Sequence, residues 1–133
     1  MVELKVLSLK EPYASLIKEG KKKIETRSWK TNYRGIIYIH ASKTRISKED
    51  SNNAILSSLI DYSNLNYGYI ICKANLKDCI LMDEDFVNDM RKSNPTEYAC
   101  GIYASGRYAW ILSDIEVLKE PIPAKGSLGL WNY

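Results

Sequence analysis

One short stretch, residues 20–29, concentrates residue types that could do chemistry. It reads Gly-Lys-Lys-Lys-Ile-Glu-Thr-Arg-Ser-Trp and contains the spaced pattern G-x-K-x-x-E-x-R. In that pattern Lys22 and Arg27 could hold phosphate or carbonyl oxygens, and an arginine can do so with two donors. Glu25 could accept hydrogen bonds from an exocyclic amine, and the indole of Trp29 offers a stacking face. The combination predicts a site for a nucleotide, or for a base that is unstacked from a nucleic-acid strand.

The same residues have plainer interpretations, which the sequence leaves open. A run of lysines is often only a solvated surface. Glu25 could simply pair with Lys22 or Arg27, and such a pair could also orient an arginine that binds a ligand. Trp29 could stack on a base, or it could pack against the protein and close the open end of the fold.

Length and composition predict one domain over residues 1–133. Hydrophobic residues at 45% and charged residues at 26% are ordinary for a globular protein. No apolar run approaches the roughly 20 residues that cross a membrane, and the N-terminus has no apolar signal segment. The three cysteines lack C-x-x-C spacing, so we expect reduced thiols in a cytoplasmic protein rather than a disulfide frame or zinc site.

Positive charge is concentrated in the half of the chain that holds the motif. Residues 1–50 contain 12 Lys or Arg against 6 Asp or Glu, whereas residues 51–133 contain 7 against 10. A local basic face is expected of a protein that binds a polyanion. Such cations attract any nucleic-acid strand through its phosphates and do not distinguish its sequence. The basic side chains that would surround the motif are Lys18, Lys21, Lys23, Lys30, Arg34, Lys43 and Arg45.

Local patterns place the motif between a helix and a strand. Alternating apolar residues over Val2–Leu9 predict a strand. Pro12 opens a short helix with an apolar face, and Gly20 ends it as a left-handed cap. Lys23–Arg27 is predicted to be extended, which would put the acid and the arginine on one face.

The rest of the chain alternates between strands and short helices. Ser47 is predicted to cap a helix that reaches about residue 60. In the acidic run 83–85, Asp83 is predicted to cap a second helix, which explains those acids better than a metal site does. Strands are predicted over residues 36–40, 67–76, 108–112 and 115–118, the last two joined by a turn at Ser113-Asp114. We therefore predict an α+β fold whose sheet curls to hide its edges, with no metal and no cofactor.

These residues together resemble the ASCH domain, a branch of the PUA-like superfamily, over nearly the whole chain. The resemblance looks closest to the subgroup found in the transcription coactivator called activating signal cointegrator. Residues 44–66 and 83–103 match weakly. The matching positions are Leu7-Ser8-Leu9, Pro12-Tyr13-Ala14-Ser15-Leu16, Gly20, Lys22, Glu25, Arg27-Ser28-Trp29, Thr31, Arg34-Gly35, Ile39, Ala41, Tyr108-Ala109-Trp110, Pro121-Ile122-Pro123, Lys125-Gly126 and Gly129-Leu130-Trp131.

The resemblance implies a small β-barrel of five to six strands with two to four short flanking helices. It also implies a cleft that is lined by the motif and flanked by Tyr13 and Ser15 at the start of the first helix. Members of the family generally bind RNA or nucleotides, and some bind DNA. His40, the only histidine, could approach the site from its strand end, and Ser127 is a candidate for the rim.

The resemblance also implies an enzymatic alternative. One bacterial relative hydrolyses the amide of N4-acetylcytidine with the motif lysine and a threonine three residues later, and another relative is described as a ribonuclease. Here Lys22 occupies the lysine position but Glu25 occupies the threonine position, and Thr26 should point to the opposite face of the strand. Glu25 could instead act as a general base on water, with Lys22 stabilising an oxyanion.

We therefore predict a monomer, with no membrane partner, that binds RNA, a nucleotide or a modified base in a basic cleft. The alternative is a hydrolase of a modified nucleoside or of RNA, and a protein-interaction module is the third possibility. The predicted site residues are Tyr13, Ser15, Lys21, Lys22, Lys23, Glu25, Arg27, Ser28, Trp29, Arg34, His40, Lys43 and Ser127.

Overall fold

One six-stranded sheet curls into a half-barrel. The computed structural model describes residues 3–133. The strands are β1 (Lys5–Leu9), β2 (Ile24–Arg27), β3 (Gly35–Ala41), β4 (Tyr69–Leu81), β5 (Tyr108–Pro123) and β6 (Leu130–Asn132). Their order across the sheet is β2-β5-β4-β3-β1-β6, with only the β1–β3 pair parallel. The edges of the half-barrel are therefore two very short strands, β2 and β6.

Within the described residues five short helices flank this sheet, one more than the upper limit of the two to four expected, and together with the sheet they confirm the predicted α+β class. They are α1 (Tyr13–Lys18), α2 (Lys48–Ser51), α3 (Ala54–Leu59), α4 (Glu84–Ser93) and α5 (Pro95–Ala99). None of the helices in residues 3–133 is long and apolar enough to cross a membrane. The helices follow local signals: Asp83 caps α4 by accepting from the amide of Phe86 at 2.8 Å, as predicted.

The core lies inside the curl of the sheet, where α1 covers it. Leu7, Ile37 and Trp110 are fully buried there and come from three different strands. Ile17 of α1 packs into the same cluster, because the apolar face of this helix turns inward. This packing fixes α1 and β2 relative to each other, and the motif lies between them.

Two predicted boundaries are wrong, for local reasons. The predicted helix over residues 47–60 is two helices, because Asn53 begins a second one by accepting from the amides of Ile55 and Leu56. The predicted turn at Ser113-Asp114 is an irregularity inside the continuous strand β5. Asp114 has a φ of 53°, and one extra residue is accommodated there between two paired positions of β4.

The first predicted strand begins later than expected within the described chain. Regular pairing starts at Lys5, and Val2 lies outside the described residues. The strand predicted over residues 67–76 is longer than expected, since β4 continues to Leu81.

Candidate functional site

A cleft of about 1170 Å³ opens on the side of the half-barrel where α1 and α2 lie. The motif strand forms one wall through residues 25–29, and the chain between β5 and β6 forms another through residues 125–129. The lining is completed by residues 8–10, 42–44, 99–102 and by single side chains of α1, α2 and the loops, namely Tyr13, Ser47, Glu49, Asp50, Asn53 and Arg107.

In the lining of this cleft, Arg27 joins the edge strand β2 to β1, at a point of β1 that β6 no longer covers. The pairing between β6 and β1 ends at Leu7, which leaves the carbonyl of Ser8 without a strand partner. Nη2 of Arg27 donates to that carbonyl at 3.0 Å, and the same nitrogen lies 2.9 Å from Oε2 of Glu25. Because β2 and β1 are not neighbours in the sheet, this side chain substitutes for the missing strand contact.

Lys22 lies behind the Glu25 carboxylate and does not line the cleft. It is 0% exposed, and Nζ donates to the carbonyls of Ile24 and Cys100 at 2.6 Å each. Its Nζ is also 3.5 Å from Oε1 of Glu25. The motif charges therefore form a row, Lys22–Glu25–Arg27, in which both carboxylate oxygens face cations.

Helix α5 supports this row from outside the cleft. The buried carboxylate of Glu97 accepts from the backbone amides of Lys23 at 2.8 Å and Ile24 at 3.4 Å. Burial raises the pKa of Glu97 above its ordinary value, and the two amide donors oppose that effect. The hydroxyl of Thr26 accepts from the amide of Ile102, which ties the loop after α5 to the motif strand.

Aromatic and aliphatic side chains are exposed around the cleft. Trp29 packs edge-on against Trp110 with ring centroids 4.8 Å apart, yet it stays 36% exposed. Packing and an available ring face are thus both present at this residue. Ile102 and Leu128 also line the cleft and are 64% and 95% exposed.

Tyr13 contributes a polar group on the α1 side. Burial is the main cause that raises the pKa of its hydroxyl well above the ordinary value, and a hydrogen bond with the Asp50 side chain adds to it. The hydroxyl therefore stays protonated at neutral pH, and its single proton is directed to Asp50.

Four cationic side chains of the lining make no ion pair within residues 3–133: Lys10, Lys43, Arg107 and Lys125. Three of them are exposed, whereas Arg107 is half-buried and donates to the carbonyls of Ile102 and Thr26. The acids of the same lining are Glu25, which is already paired, and Glu49 and Asp50 of α2. The part of the lining away from α2 is thus positively charged.

The predicted site residues divide into two groups in the structure. Seven line the cleft: Tyr13, Glu25, Arg27, Ser28, Trp29, Lys43 and Ser127. Six do not, and three of these are buried, namely Ser15, Lys22 and His40. Ser15 donates to Glu11, Lys21 and Arg34 pair with Glu19 and Asp78 on the surface, and Lys23 is exposed outside the cleft.

His40 bonds to two other parts of the chain beneath the cleft. Its Nε2 lies 2.8 Å from the carbonyl of Ala124, and its Nδ1 lies 2.9 Å from the hydroxyl of Ser8. The indole nitrogen of Trp131 donates to the same hydroxyl at 3.0 Å. Burial lowers the pKa of His40 below its ordinary value, so the ring is neutral at pH 7.

Several cleft residues were missed by sequence reasoning. Lys10, Arg107 and Lys125 are isolated cations with no motif around them, and Asp50 is the end of an acidic pair on a short helix. Only the charge asymmetry pointed to Lys10, and no local signal distinguished the others. In the described part of the chain, no three His, Cys, Asp or Glu side chains cluster as metal ligands do.

Comparison with known proteins identifies similar folds. The family model described as "ASCH domain" matches residues 7–122. Among solved structures, the chain is similar to two mutants of ZmASCH from Zymomonas mobilis, one with tyrosine replaced by phenylalanine and one with serine replaced by alanine. The first is 19% identical with a TM-score of 0.54, over 90% of this chain and 74% of that chain. The second is 20% identical with a TM-score of 0.54, over 90% and 72%. No curated protein matches this chain.

Proposed function

Because this chain belongs to the ASCH domain family, we propose that it binds single-stranded RNA, or a nucleotide or modified base, in the cleft. One observation carries the proposal. A concave site of about 1170 Å³ is lined by cations that make no ion pair within residues 3–133, by a partly exposed indole and by a paired arginine. Those are the groups that hold phosphates and stack bases.

The size of the cleft favours a nucleotide together with part of the nucleic-acid chain that continues from it. Ligand pockets for small molecules have volumes of roughly 300–1,000 Å³, and this cleft lies just above that range. Its open side carries Leu128 and Ile102, which would contact the faces of unstacked bases. A duplex keeps its bases stacked and could offer only its backbone here.

The paired motif residues support a role in orienting the ligand. Nη2 of Arg27 is fixed by the Ser8 carbonyl and the Glu25 carboxylate, so the guanidinium has little freedom to lose when a ligand binds. Lys22 would act indirectly, because it contacts Glu25 and two carbonyls rather than the cleft.

Charge reversal on the lining tests the proposal. The affinity for a fluorescent single-stranded RNA of about ten nucleotides would be measured by anisotropy at several salt concentrations. We expect Lys10→Glu with Lys125→Glu to weaken binding strongly and to make the salt dependence less steep, by roughly 0.7 per lost phosphate contact. The matched control, Lys77→Glu with Lys119→Glu, changes two exposed lysines outside the cleft.

Equal affinities for the cleft double variant and the control double variant would reject this site. Binding that is equally tight for a duplex of the same sequence would reject the single-stranded preference. Lys22 is left out of the test, since its burial would confuse loss of binding with loss of folding.

The hydrolase alternative has weaker support from the geometry. Both carboxylate oxygens of Glu25 are engaged by cations, and Nζ of Lys22 is committed to two carbonyls. A general base and an oxyanion donor would both have to leave these partners. Turnover of an acylated nucleoside or of labelled RNA that disappears in Glu25→Gln would favour the enzyme instead.

The finer predictions rest on the sequence alone. Kinship with the activating signal cointegrator subgroup, a monomeric state, a cytoplasmic location and a single domain over residues 1–133 remain predictions. A protein partner that is retained from extract after nuclease treatment would favour the interaction module.

A further inference from the structure

The wall made by residues 125–129, here called the strap, is held only at its ends. All five residues line the cleft. The hydrogen bonds found in the described residues include none from the backbone of 125–129. The strap starts after Ala124, whose amide donates to Gly68, and it ends at Leu130, where pairing with β1 begins. Its position therefore depends on how those two ends are anchored.

Two further contacts, here called the anchors, connect the ends of the strap to His40. The carbonyl of Ala124, just before the strap, lies 2.8 Å from Nε2. Trp131, two residues after the strap, donates to the hydroxyl of Ser8, which lies 2.9 Å from Nδ1. Between the anchors Gly126 passes directly over the pair, because a Cβ added there would lie 2.9 Å from Cε1 of His40 and 3.0 Å from the Ser8 hydroxyl oxygen.

The partners of His40 determine where its proton is. A backbone carbonyl can only accept, so Nε2 must carry the hydrogen in a neutral ring. Nδ1 is then an acceptor, and the Ser8 hydroxyl donates to it while accepting from the indole of Trp131. One neutral tautomer thus satisfies both anchors at once.

We propose that His40 is a positioning residue that holds the strap as a wall of the cleft, and that only its neutral form does so. The inference rests on the proposed function, because its expected consequence is that RNA binds when the strap is in place. A second proton on Nδ1 would reverse the bond to Ser8, whose hydroxyl would then accept from both rings and turn its own hydrogen elsewhere. It would also place a charge on a ring that is 1% exposed beneath the strap, where only an opening of the strap would bring water to it.

The charged groups around this anchor oppose a charged imidazole. Lys43, on the loop after β3, disfavours the protonated ring. Arg27 reaches the Ser8 carbonyl from β2, and Lys125 follows Ala124 in the strap. Within residues 3–133, no carboxylate bonds to the ring.

The sign of the pH dependence follows from burial. The pKa of His40 is lowered in the folded chain, so between that value and about 6.5 the unfolded chain takes up a proton and the folded chain does not. Stability falls as the pH falls through this window, and the strap should loosen as the folded ring protonates. His40 is the only histidine in the sequence, but burial also raises the pKa of Glu97, so the comparison with His40→Gln assigns the transition.

The experiment follows the strap and the ligand separately. Exchange of the bonded amides at the two ends of the strap, those of Ala124 and of β6, is here called strap exchange. Corrected for intrinsic rates, it would be compared between pH 5 and 7.5 in the wild-type chain, His40→Gln and His40→Phe. RNA affinity would be measured over the same range. We expect the wild-type strap to lose protection and affinity together as the pH falls, while His40→Gln loses this pH dependence. If the strap is in place in about one tenth of His40→Phe molecules, their affinity falls about tenfold.

Each outcome decides the inference. Unchanged strap exchange in His40→Phe overturns it, as does a pH dependence that persists in His40→Gln. A strap that loosens without loss of affinity shows that the anchor does not serve the site, which also overturns it. If the wild-type chain binds no RNA at any pH, the proposed function fails, and the exchange data alone decide the anchoring. If His40→Phe does not fold, the wild-type pH series and Ser8→Ala decide it, because Ser8→Ala removes the bonds to Trp131 and to Nδ1 of His40 and leaves the Ala124 contact.

Discussion

The two walls of the cleft are built in opposite ways. The motif wall is paired along its strand: β2 is in register with β5 from Ile24 to Arg27, and the one carboxylate of Glu25 contacts both Lys22 and Arg27. The strap has no such pairing and exposes an apolar tip at Leu128. One wall is therefore preorganised, and the other belongs to the class of segments that open most easily.

The contrast explains why the most conspicuous charges of the sequence are not the ones most available to a ligand. Lys22 is used to hold Glu25, and Glu25 to hold Arg27. The cations without an ion pair in residues 3–133, such as Lys10 and Lys125, are isolated in the sequence. A rigid wall with fixed polar groups opposite an adjustable one would admit ligands of varied shape while fixing their orientation.

The largest effect is expected where the motif wall is most deeply buried. Lys22→Met should lower the free energy of unfolding by about 3–5 kcal/mol, because it removes one partner of a buried ion pair and leaves two carbonyls without donors. Urea unfolding of both forms would measure the loss. Lys23→Met, the exposed neighbour, is the matched control and should change stability by less than about 0.5 kcal/mol.

A Lys22→Met chain as stable as the control would break the comparison. It would show that the row of charges does not fix the motif wall. Lys10 and Lys125 in the cleft and Lys22 in the motif would then differ in position but not in their contribution to stability.

A smaller effect is expected from Arg27, which links β2 to β1. Arg27→Met should cost about 2 kcal/mol of stability, because charged hydrogen bonds to Ser8 and Glu25 are lost while Glu25 keeps Lys22. RNA affinity should fall at least as much as it does in the lysine double variant. The control is Arg91→Met on the exposed face of α4, and equal behaviour of the two variants would contradict the linking role.

The sequence predicted the parts of this wall that depend on near neighbours. Residues two apart on a strand share a face, and Glu25 and Arg27 do pair at 2.9 Å. The caps at Gly20 and Asp83 were predictable for the same reason, since each depends on a single turn of the chain. The local patterns predicted the α+β class, and the family resemblance added the expectation of a small barrel.

The parts that could not be predicted depend on distant contacts. Lys22 is buried because the carbonyl of Cys100 accepts from it, 78 positions along the chain. His40 was expected near the ligand, but it bonds to Ala124, 84 positions away, and lies beneath the strap. Neither acceptor has a sequence signature, because any residue can offer a carbonyl.

The smallest effect, at the tip of the strap, would sharpen the contrast most directly. Leu128→Ser should leave stability within about 0.5 kcal/mol of wild type, because a side chain that is 95% exposed contributes little to folding. If Leu128 covers a base, losing that apolar contact should cost about 1 kcal/mol of binding free energy, or about fivefold in affinity. Leu81→Ser, the same change at an exposed position outside the cleft, should leave affinity unchanged. An affinity that falls equally in both variants would mean that the strap is not a wall of the binding site, whatever holds its ends.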